Sequence, residues 1–419
     1  MRVLFVAAAM KPHFFPLVTL AWAFRAAGHE VRVAGQPRIV EEVTRAGLAA
    51  IPVGAAHDLL DGTMRVLGDK SVDLTQARRR MASAASSEEP WGLREGGAVR
   101  LSEEQVRQGK RMTYEPHINA ARSMAEDLVP FARHWRPDLV VTDPLPYVSA
   151  LVAGVLGVPL VRHLWGPYTV QRLAGQSGPS EGNPLGEWPA ELVELYSRYG
   201  VEVSSDHAVA NVDACPLSMQ VDGIRNRIPV RYLPYNGTGV VPGWLRRPAE
   251  RPRVCVTWGT TTMALGDSRW FMVPQIVDAL ADLDVEAVVT LSEADRQRLG
   301  SVPKGVRLVS GLPLDWLLPT CGAIVNQAGA GTVLTAAAHG VPQVCVPQLT
   351  DQPFNAVKLA ATGAGVTLDM ERADRDDIKS AVHAALTDEA PKEAARRLRE
   401  EIEAQPVPAE IVDTLLRSV

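Results

Sequence analysis

The sequence predicts an α/β protein with two doubly wound, Rossmann-like domains that face each other across a cleft. Apolar runs of strand length alternate with segments of helical periodicity, and the alternation restarts after a Pro- and Gly-rich stretch in the middle of the chain. The segment VLGVPLV at 155–161 is echoed by AHGVPQV at 338–344. This strand–helix–strand order implies parallel sheets covered by helices, with ligands at the carboxyl ends of the strands.

The first half of the chain accounts for one sheet. Strands are predicted at 2–7, 30–34, 49–53, 138–142 and 158–163, and helices at 16–27, 38–46, 103–135 and 147–156. Residues 55–101 and 166–188 are irregular and rich in Gly, Ser, Arg or Pro. We expect these two segments to form loops that set specificity.

The second half repeats the pattern after a predicted linker, PYNGTGVVPGWLRRPAERP. Strands are predicted at 254–258, 285–291, 306–310, 323–326 and 343–346, and helices at 269–281, from about 330, after 351 and in three C-terminal segments. We therefore divide the chain into an N-terminal domain (1–233), the linker (234–252), a C-terminal domain (253–400) and a C-terminal helix (401–419) that returns to the N-terminal domain.

Composition limits the function classes. The chain has 419 residues, 46% of them hydrophobic, and a net charge of −5. It can therefore fill two or three cores at about 150 residues per domain, and it lacks the basic surplus of nucleic-acid-binding proteins. Four cysteines without a CxxC pair indicate buried thiols, and the apolar N-terminal stretch ends at Lys11, too early for a signal peptide. We expect a soluble, cytoplasmic protein.

The sharpest motif follows the strand that ends at Asn326. A Gly-rich turn carries Gly329 and Gly331, and Thr332 opens the next helix. Free backbone N–H groups and the positive end of a helix form a phosphate cradle, and glycines let a ligand approach the backbone closely. The segment is neither a P-loop nor a complete dinucleotide-binding fingerprint.

Two polar side chains follow the next strand. Asp351 and Gln352 stand where that strand opens. A carboxylate accepts hydrogen bonds from vicinal hydroxyl groups, and a carboxamide both accepts and donates, so the pair suits a sugar. A helix N-cap is the alternative role for Asp351.

His13 is the histidine with the most catalytic location. It follows the first strand, so it lies in a turn at the carboxyl end of the sheet, and an imidazole can take a hydroxyl proton near neutral pH. Asp143 closes another strand of the same predicted sheet. It either orients His13, acts as a base itself, or caps the next helix.

Together these segments resemble GT-B glycosyltransferases, above all the actinobacterial enzymes that attach deoxysugars to polyketide and other natural-product aglycones. The resemblance covers essentially the whole chain. It is carried by KPHFFP at 11–16, PYNGTG at 234–239, VTWGT at 256–260, GLPLDWLLPTC at 311–321 and the block GAGT…GVP…DQ at 329–352. It implies an acceptor-binding N-terminal domain, a nucleotide-sugar-binding C-terminal domain, and inverting sugar transfer from a dTDP-sugar to a hydrophobic aglycone.

The resemblance also assigns roles to residues. It makes His13 the general base, and we add Asp143 as the second catalytic candidate. The implied nucleotide-binding residues are Asn236, Gly237, Gly259, Thr260, Leu312, Pro313, Asn326, Gln327, Ala328, Gly329, Ala330, Gly331 and Thr332, and the implied sugar-binding residues are Asp351 and Gln352.

Two departures from the family pattern matter. The family block begins with paired histidines, and this chain has Asn326 and Gln327 there. Assistance to the departing diphosphate must then come from neutral amide donors and the helix end. Many UDP-sugar relatives carry a Glu for the ribose hydroxyls where this chain has Thr335, which favours a dTDP-sugar.

Two alternatives remain open at this point. One is a UDP-glucose-dependent macrolide or xenobiotic glucosyltransferase. The other is a non-catalytic, transferase-like partner protein, which the missing histidines suggest and the presence of His13 disfavours. A homodimer and an auxiliary activator protein are both compatible with the family, whereas nucleic acid and membrane are not expected partners. We expect no metal or other cofactor, because the helix end supplies positive charge and the DxD-like Asp282–Asp284 lies in a predicted turn.

The remaining candidates carry weaker signals. His163 ends another predicted strand, and His117 lies on a helix that suits the wall of an acceptor pocket. Aromatic residues near strand ends suit either stacking on a flat acceptor or packing in the core. These are Phe14, Phe15, Tyr147 and Trp165.

Overall fold

The chain forms two compact α/β units. A computed structural model describes residues 1–55, 103–168, 188–204, 207–259, 270–348 and 351–418. Unit 1 comprises Met1–Ala214, Val221–Val230 and Pro406–Val419, and unit 2 comprises Cys215–Gln220 and Arg231–Gln405. Two parallel-sheet units of this kind confirm the predicted fold class.

The strands of each unit make one parallel sheet. They are β1 Arg2–Val6, β2 Glu30–Gly35, β3 Ala49–Pro52, β4 Leu139–Thr142, β5 Leu160–Leu164, β6 Ala208–Asp213, β7 Arg227–Pro229, β8 Arg253–Thr257, β9 Glu286–Thr290, β10 Val306–Val309, β11 Ala323–Asn326, β12 Gln343–Cys345 and β13 Gly365–Thr367. Across the described residues the strand order is β3-β2-β1-β4-β5-β6-β7 in unit 1 and β10-β9-β8-β11-β12-β13 in unit 2. The two orders are therefore equivalent over six strands.

Each order reverses at one place. In unit 1 the chain builds outward from β1 to β3 and then restarts with β4 on the other side of β1. In unit 2 it builds from β8 to β10 and restarts with β11 beside β8. At such a switch point neighbouring loops diverge to opposite faces of the sheet and leave a crevice for a ligand.

Helices fill the connections between strands. They are α1 Lys11–Ala26, α2 Val40–Arg45, α3 Glu103–Trp135, α4 Tyr147–Leu156, α5 Ala190–Ser197, α6 Val273–Leu280, α7 Glu293–Leu299, α8 Leu314–Leu317, α9 Ala330–Ala338, α10 Gln352–Thr362, α11 Arg375–Thr387, α12 Glu389–Glu403 and α13 Pro408–Ser418. The last helix, α13, lies in unit 1 and packs against α1. No helix in the described ranges combines the length and apolarity needed to cross a membrane.

The start of α1 corrects the sequence prediction. The helix begins at Lys11 rather than at 16, so Pro12 occupies its first turn and Pro16 lies inside it. A proline in the first turn loses no hydrogen bond, because those N–H groups have no intrahelical acceptor. His13 is consequently held by the first helical turn and not by a free loop.

Each sheet is covered by apolar side chains. In unit 1, Leu4 and Val140 of the sheet pack with Leu128 of α3 and Leu151 of α4, and all four are fully buried. Unit 2 has a corresponding cluster on one face of its sheet, built on strands β8, β9, β11 and β12. The fixed core leaves the loops at the carboxyl ends of the strands to carry function.

Candidate functional site

The predicted site residues lie at the switch points of the two sheets. In unit 1, His13 follows β1 and Asp143 follows β4. In unit 2, Gly259 follows β8 and Gln327 follows β11. The two units therefore present two candidate sites in topologically equivalent places.

In unit 1 the Asp143 carboxylate is fixed by three donors. Its Oδ2 accepts from the backbone N–H of Ala8 at 2.7 Å, and its Oδ1 accepts from the N–H of Leu145 at 3.0 Å. The same Oδ1 lies 3.2 Å from Nδ1 of His13. The side chain of Asp143 is 1% exposed and that of His13 is 13% exposed. Backbone groups from both loops thus hold the carboxylate against the imidazole.

This contact determines which ring nitrogen of His13 carries the proton. An ionised carboxylate only accepts hydrogen bonds, so Nδ1 carries the proton that it donates to Asp143. In the neutral ring Nε2 then has a free lone pair, which can accept a proton from a bound hydroxyl group. Trp165 contacts the imidazole edge-on, with the ring centroids 4.5 Å apart. The ring is oriented from two sides.

Two further histidines lie near this pair and stay neutral. Burial lowers the pKa of His163 to about 4, although its hydrogen bond to the carbonyl of Leu164 and the charge of Asp143 oppose the shift. Burial also lowers the pKa of His117 to about 4, assisted by His13 and opposed by Asp143. Near neutral pH, therefore, neither ring adds a positive charge beside His13.

In unit 2 the turn before α9 has a left-handed residue that is not glycine. Ala328 has φ of +61°, a region that costs L-residues about 1–2 kcal/mol. Two carboxamides hold it there: Oδ1 of Asn326 accepts from its N–H at 2.6 Å, and Nδ2 of Asn355 donates to its carbonyl at 2.9 Å. Asn326 and Ala328 are fully buried, so they shape the turn from inside.

The glycines of this turn are open to a ligand. Gly329 is the N-cap of α9, and Gly331 lies in its first turn with Ala330 and Thr332. A Cβ at Gly329 or Gly331 would meet no atom within 4 Å, and neither residue has a positive φ. Neither packing nor backbone conformation requires glycine at these two positions. The absence of side chains would instead let an anion approach the N–H groups of the first helical turn, which have no intrahelical acceptor.

Gln327 connects the two loops of the switch point. Its Oε1 accepts from the N–H of Gly259 at 2.6 Å, and its Nε2 donates to Oε1 of Gln348 at 2.7 Å. Gln348 in turn donates through Nε2 to the carbonyl of Trp270 at 2.6 Å, and its backbone N–H donates to Oε1 of Gln352 at 2.8 Å. The carboxamide that replaces the family histidine is thus engaged at both ends.

Two of the segments predicted to bind the nucleotide, the linker around Asn236 and the strip with Leu312 and Pro313 for the nucleobase, lie near each other in unit 2. Oδ1 of Asn236 accepts from the N–H of Asp315, which follows Leu312 and Pro313 by two or three positions. Nδ2 of the same Asn236 donates to Oγ1 of Thr335 at 3.4 Å. Gly237 beside it has φ of +93°, a conformation that favours glycine. The linker position and the predicted base strip therefore form one surface of unit 2.

Thr335 itself has its hydroxyl fully occupied. Its Oγ1 donates to the carbonyl of Gly331 at 2.6 Å and contacts the hydroxyl of Tyr232 at 3.1 Å. The side chain is completely buried. Thr335 thereby connects α9 to the segment that contains Tyr232, and it supplies no carboxylate.

Asp351 and Gln352 lie at the start of α10. Asp351 is the N-cap residue but makes no side-chain cap; instead its Oδ2 accepts from Nδ2 of Asn355 at 2.8 Å. Oε1 of Gln352 accepts from the N–H of Gln348 at 2.8 Å. Each side chain is connected to the turn that precedes α9 through one residue, Asp351 through Asn355 and Gln352 through Gln348.

Some predictions fall outside the described residues. These are Thr260 and most of the proposed specificity segments 55–101 and 166–188. Among the described residues no cluster of His, Cys, Asp and Glu suits a metal ion. The DxD-like aspartates are surface ion-pair partners, Asp282 of Arg375 and Asp284 of Arg251.

Sequence reasoning missed the buried carboxamides around the turn, namely Gln343, Gln348 and Asn355. Gln343 Oε1 accepts from Asn326, and its Nε2 donates to a carbonyl of α9. Gln348 follows β12 at the carboxyl edge of the sheet, and that position was the available signal. Of the aromatic candidates, Trp165 reaches His13, whereas Phe14 and Tyr147 pack in the core.

Comparison with known proteins identifies the family of the chain. The sequence profile of the erythromycin biosynthesis protein CIII-like N-terminal domain matches residues 22–259, and that of the corresponding C-terminal domain matches residues 274–417. The chain is 36% identical to the 10-deoxymethynolide desosaminyltransferase of Streptomyces venezuelae, an alignment that spans 100% of this chain and 97% of the relative.

Solved structures show the same fold. The spinosyn forosaminyltransferase SpnP is 32% identical, with a TM-score of 0.77 over 100% of this chain and 98% of its own. The glycosyltransferase VinC, solved in complex with dTDP, is 29% identical, with a TM-score of 0.76 over 100% of this chain and 99% of its own.

Proposed function

The chain belongs to the erythromycin biosynthesis protein CIII-like family of glycosyltransferases, and from this premise we propose that it transfers a deoxysugar from a dTDP-sugar to a natural-product aglycone with inversion at the anomeric carbon. The contact between His13 and Asp143 carries the proposal. In this proposal unit 1 binds the acceptor and unit 2 binds the donor, and the reaction takes place in the cytoplasm.

His13 acts as the general base. Its Nε2 takes the proton of the acceptor hydroxyl while that oxygen forms a bond to the anomeric carbon, and the bond from this carbon to the diphosphate breaks through an oxocarbenium-like transition state. The proton stays on the imidazole, whose positive charge Asp143 stabilises at 3.2 Å. A single displacement of this kind inverts the anomeric centre.

The donor diphosphate binds at the start of α9. The N–H groups of Ala330, Gly331 and Thr332 point out of the first helical turn, and the helix dipole places positive potential there. Fixed dipoles of this kind stabilise the charge that develops on the leaving group and need no proton transfer. In this proposal Asp351 and Gln352 contact the sugar hydroxyl groups, and Asn236, Leu312 and Pro313 contact the nucleobase.

The donor nucleotide is dTDP in this proposal. Thr335 offers no carboxylate to a ribose 2′-hydroxyl, and its own hydroxyl is bonded to Gly331 and Tyr232. VinC, a relative of the same fold, was solved with dTDP. The rival donor class is UDP-glucose.

Ligand-induced thermal shifts test the donor assignment. We expect dTDP to raise the melting temperature more than UDP does at equal concentration, since binding to the native state alone stabilises it by mass action. A clear preference for UDP would reject the dTDP assignment. Absence of binding to either nucleotide would favour the non-catalytic alternative, a transferase-like partner protein.

A further inference from the structure

The most unusual buried charge outside the proposed site is Arg162 on β5 of unit 1. Arg162 is 7% exposed. Because a guanidinium does not lose its proton in proteins, the buried group stays positively charged. Nη1 donates to two neutral oxygens, the hydroxyl of Tyr168 at 3.3 Å and Oδ1 of Asn211 at 3.4 Å. Nε is buried without a hydrogen-bond partner. Among the described residues no carboxylate forms an ion pair with this guanidinium.

Two other arginines among the described residues, the buried Arg253 and the half-buried Arg227, are neutralised. Arg253, on the first residue of β8, makes two hydrogen bonds to Oε2 of Glu286, at 2.8 and 3.2 Å. Arg227 donates to Oδ2 of the fully buried Asp213 at 2.6 Å. A buried charge without a partner is strongly unfavourable, so Arg162 stands out as a buried cation with no anionic partner in the described part of the chain.

Arg162 is one of the residues that line a small cavity of about 20 Å³. The cavity also touches Ser149, Tyr196 and His207. Its size exceeds the minimum for one water-sized particle, and it is too small for a polyatomic anion such as phosphate. The space suits an occupant of about the size of a single atom or ion.

The neighbouring polar groups do not supply negative charge. The hydroxyl of Tyr196 donates to the carbonyl of Tyr147 at 2.6 Å, and that of Ser149 is bonded to Thr142 at 2.7 Å. His207 accepts from the N–H of Ser204, and both burial and the charge of Arg162 lower the pKa of its ring. The site is thus positive and contains no anionic group among the described residues.

We propose that this cavity is a binding site for a small halide-sized anion, with chloride as its occupant in solution and Arg162 as its charged ligand. The anion neutralises Arg162 and joins β5 and β6 to the wall formed by α4 and α5. The proposal does not rest on the glycosyl transfer proposed above, because neither His13 nor Asp143 lines the cavity.

Halide-dependent unfolding tests the proposal. We expect the melting temperature of the full chain to rise by roughly 2–4 °C and to saturate when potassium chloride replaces potassium gluconate at constant ionic strength. Arg162→Met should abolish this rise and should melt no lower than the wild-type protein in gluconate, since it removes an unpaired buried charge. The control Arg253→Met should keep the chloride effect, because that guanidinium is already paired.

Two results would overturn the proposal. One is a wild-type melting temperature that does not depend on chloride, and the other is an unchanged chloride effect in Arg162→Met. In a crystal soaked in bromide, anomalous density beside Arg162 is the expected result.

Discussion

In unit 1 the loops after β1 and β4 bring together two ionisable side chains, those of His13 and Asp143, whereas in unit 2 the equivalent loops after β8 and β11 bring together the N–H of Gly259 and the carboxamide of Gln327. The topology is shared, but the chemistry is different. A group that must take up a proton has to titrate, while a group that holds a diphosphate works best as a fixed dipole. Unit 2 has Asn326 and Gln327 where the family pattern has two histidines. These carboxamides cannot become positively charged, but they hold the turn by hydrogen bonds to the N–H groups of Ala328 and Gly259.

The largest expected effect comes from removing the base. His13→Ala should lower kcat by roughly 10²- to 10⁴-fold, the usual contribution of general-base catalysis. The affinity for dTDP should hardly change, because His13 lies in unit 1 and the phosphate turn in unit 2. Product formation by chromatography and dTDP binding by calorimetry measure the two quantities separately.

His134→Ala is the matched control for that experiment, since this histidine is exposed on α3. It should leave both quantities unchanged. Unaltered turnover in His13→Ala would overturn the assignment of the base.

The second prediction concerns the stability of the folded protein in acid, which depends on the buried His163 of unit 1. His163 has an ordinary pKa of 6.5 when unfolded and a pKa of about 4 when folded, so the unfolded chain binds more protons between these values. Stability is fully present above pH 6.5 and falls as the pH drops towards 4. This one group accounts for roughly 3 kcal/mol of the loss.

His163→Gln should therefore flatten the decline of the unfolding free energy over that window, measured by urea denaturation at several pH values. His134→Gln serves as the exposed control and should retain the wild-type slope. An identical slope in His163→Gln would show that this histidine does not remain neutral in the folded protein.

Removing only the charge of Asp143 should have a smaller effect. Asp143→Asn keeps the size of the side chain and an acceptor for Ala8 or Leu145, but it no longer fixes the proton on Nδ1 of His13. We expect kcat to fall by about 10- to 100-fold with little change in KM, as for a residue that positions and stabilises a general base. Steady-state kinetics check this, and an equal fall in the His13→Ala background would contradict a joint role.

These experiments concern residues whose placement the sequence predicted in unequal detail. Strand β11 and helices α3 and α4 begin and end where periodicity predicted, because long or fully apolar segments give a strong signal. The pairing of His13 with Asp143 also follows from sequence logic, since β1 and β4 are neighbours at the switch point. By contrast, β13 and α7 were not predicted, because a short edge strand and a polar seven-residue helix give little periodicity.

The inner shape of the phosphate turn was beyond sequence reasoning. Propensity rules predict a glycine wherever φ is positive, yet Ala328 takes that conformation and its neighbour Gly329 does not. The cause is a local bond from Asn326, two residues earlier, together with a long-range bond from Asn355, which no local pattern reveals. Residues 328 and 355 come together only through the packing of α10 on the sheet.

The smallest expected effect separates function from stability at this turn. Gly331→Ala should weaken dTDP binding by about tenfold, because its methyl group occupies the space beside the free N–H groups. The same change should raise the unfolding free energy by roughly 0.5 kcal/mol, since alanine is the better helix residue. Calorimetry and denaturant unfolding measure the two effects.

Gly154→Ala is the matched control, because this glycine also lies in a helix but a Cβ there would approach Val201 to 2.7 Å. It should destabilise the protein and leave dTDP affinity unchanged. Unchanged or tighter nucleotide binding by Gly331→Ala would contradict the proposed contact between this turn and the diphosphate.

A crystal structure of the complete chain with dTDP and a glycosyl acceptor tests the central claim most directly. We predict diphosphate oxygens within hydrogen-bond distance of the N–H groups of Gly331 and Thr332, and an acceptor hydroxyl about 3 Å from Nε2 of His13. A diphosphate bound away from the first turn of α9, or an acceptor hydroxyl out of reach of His13, would contradict the account.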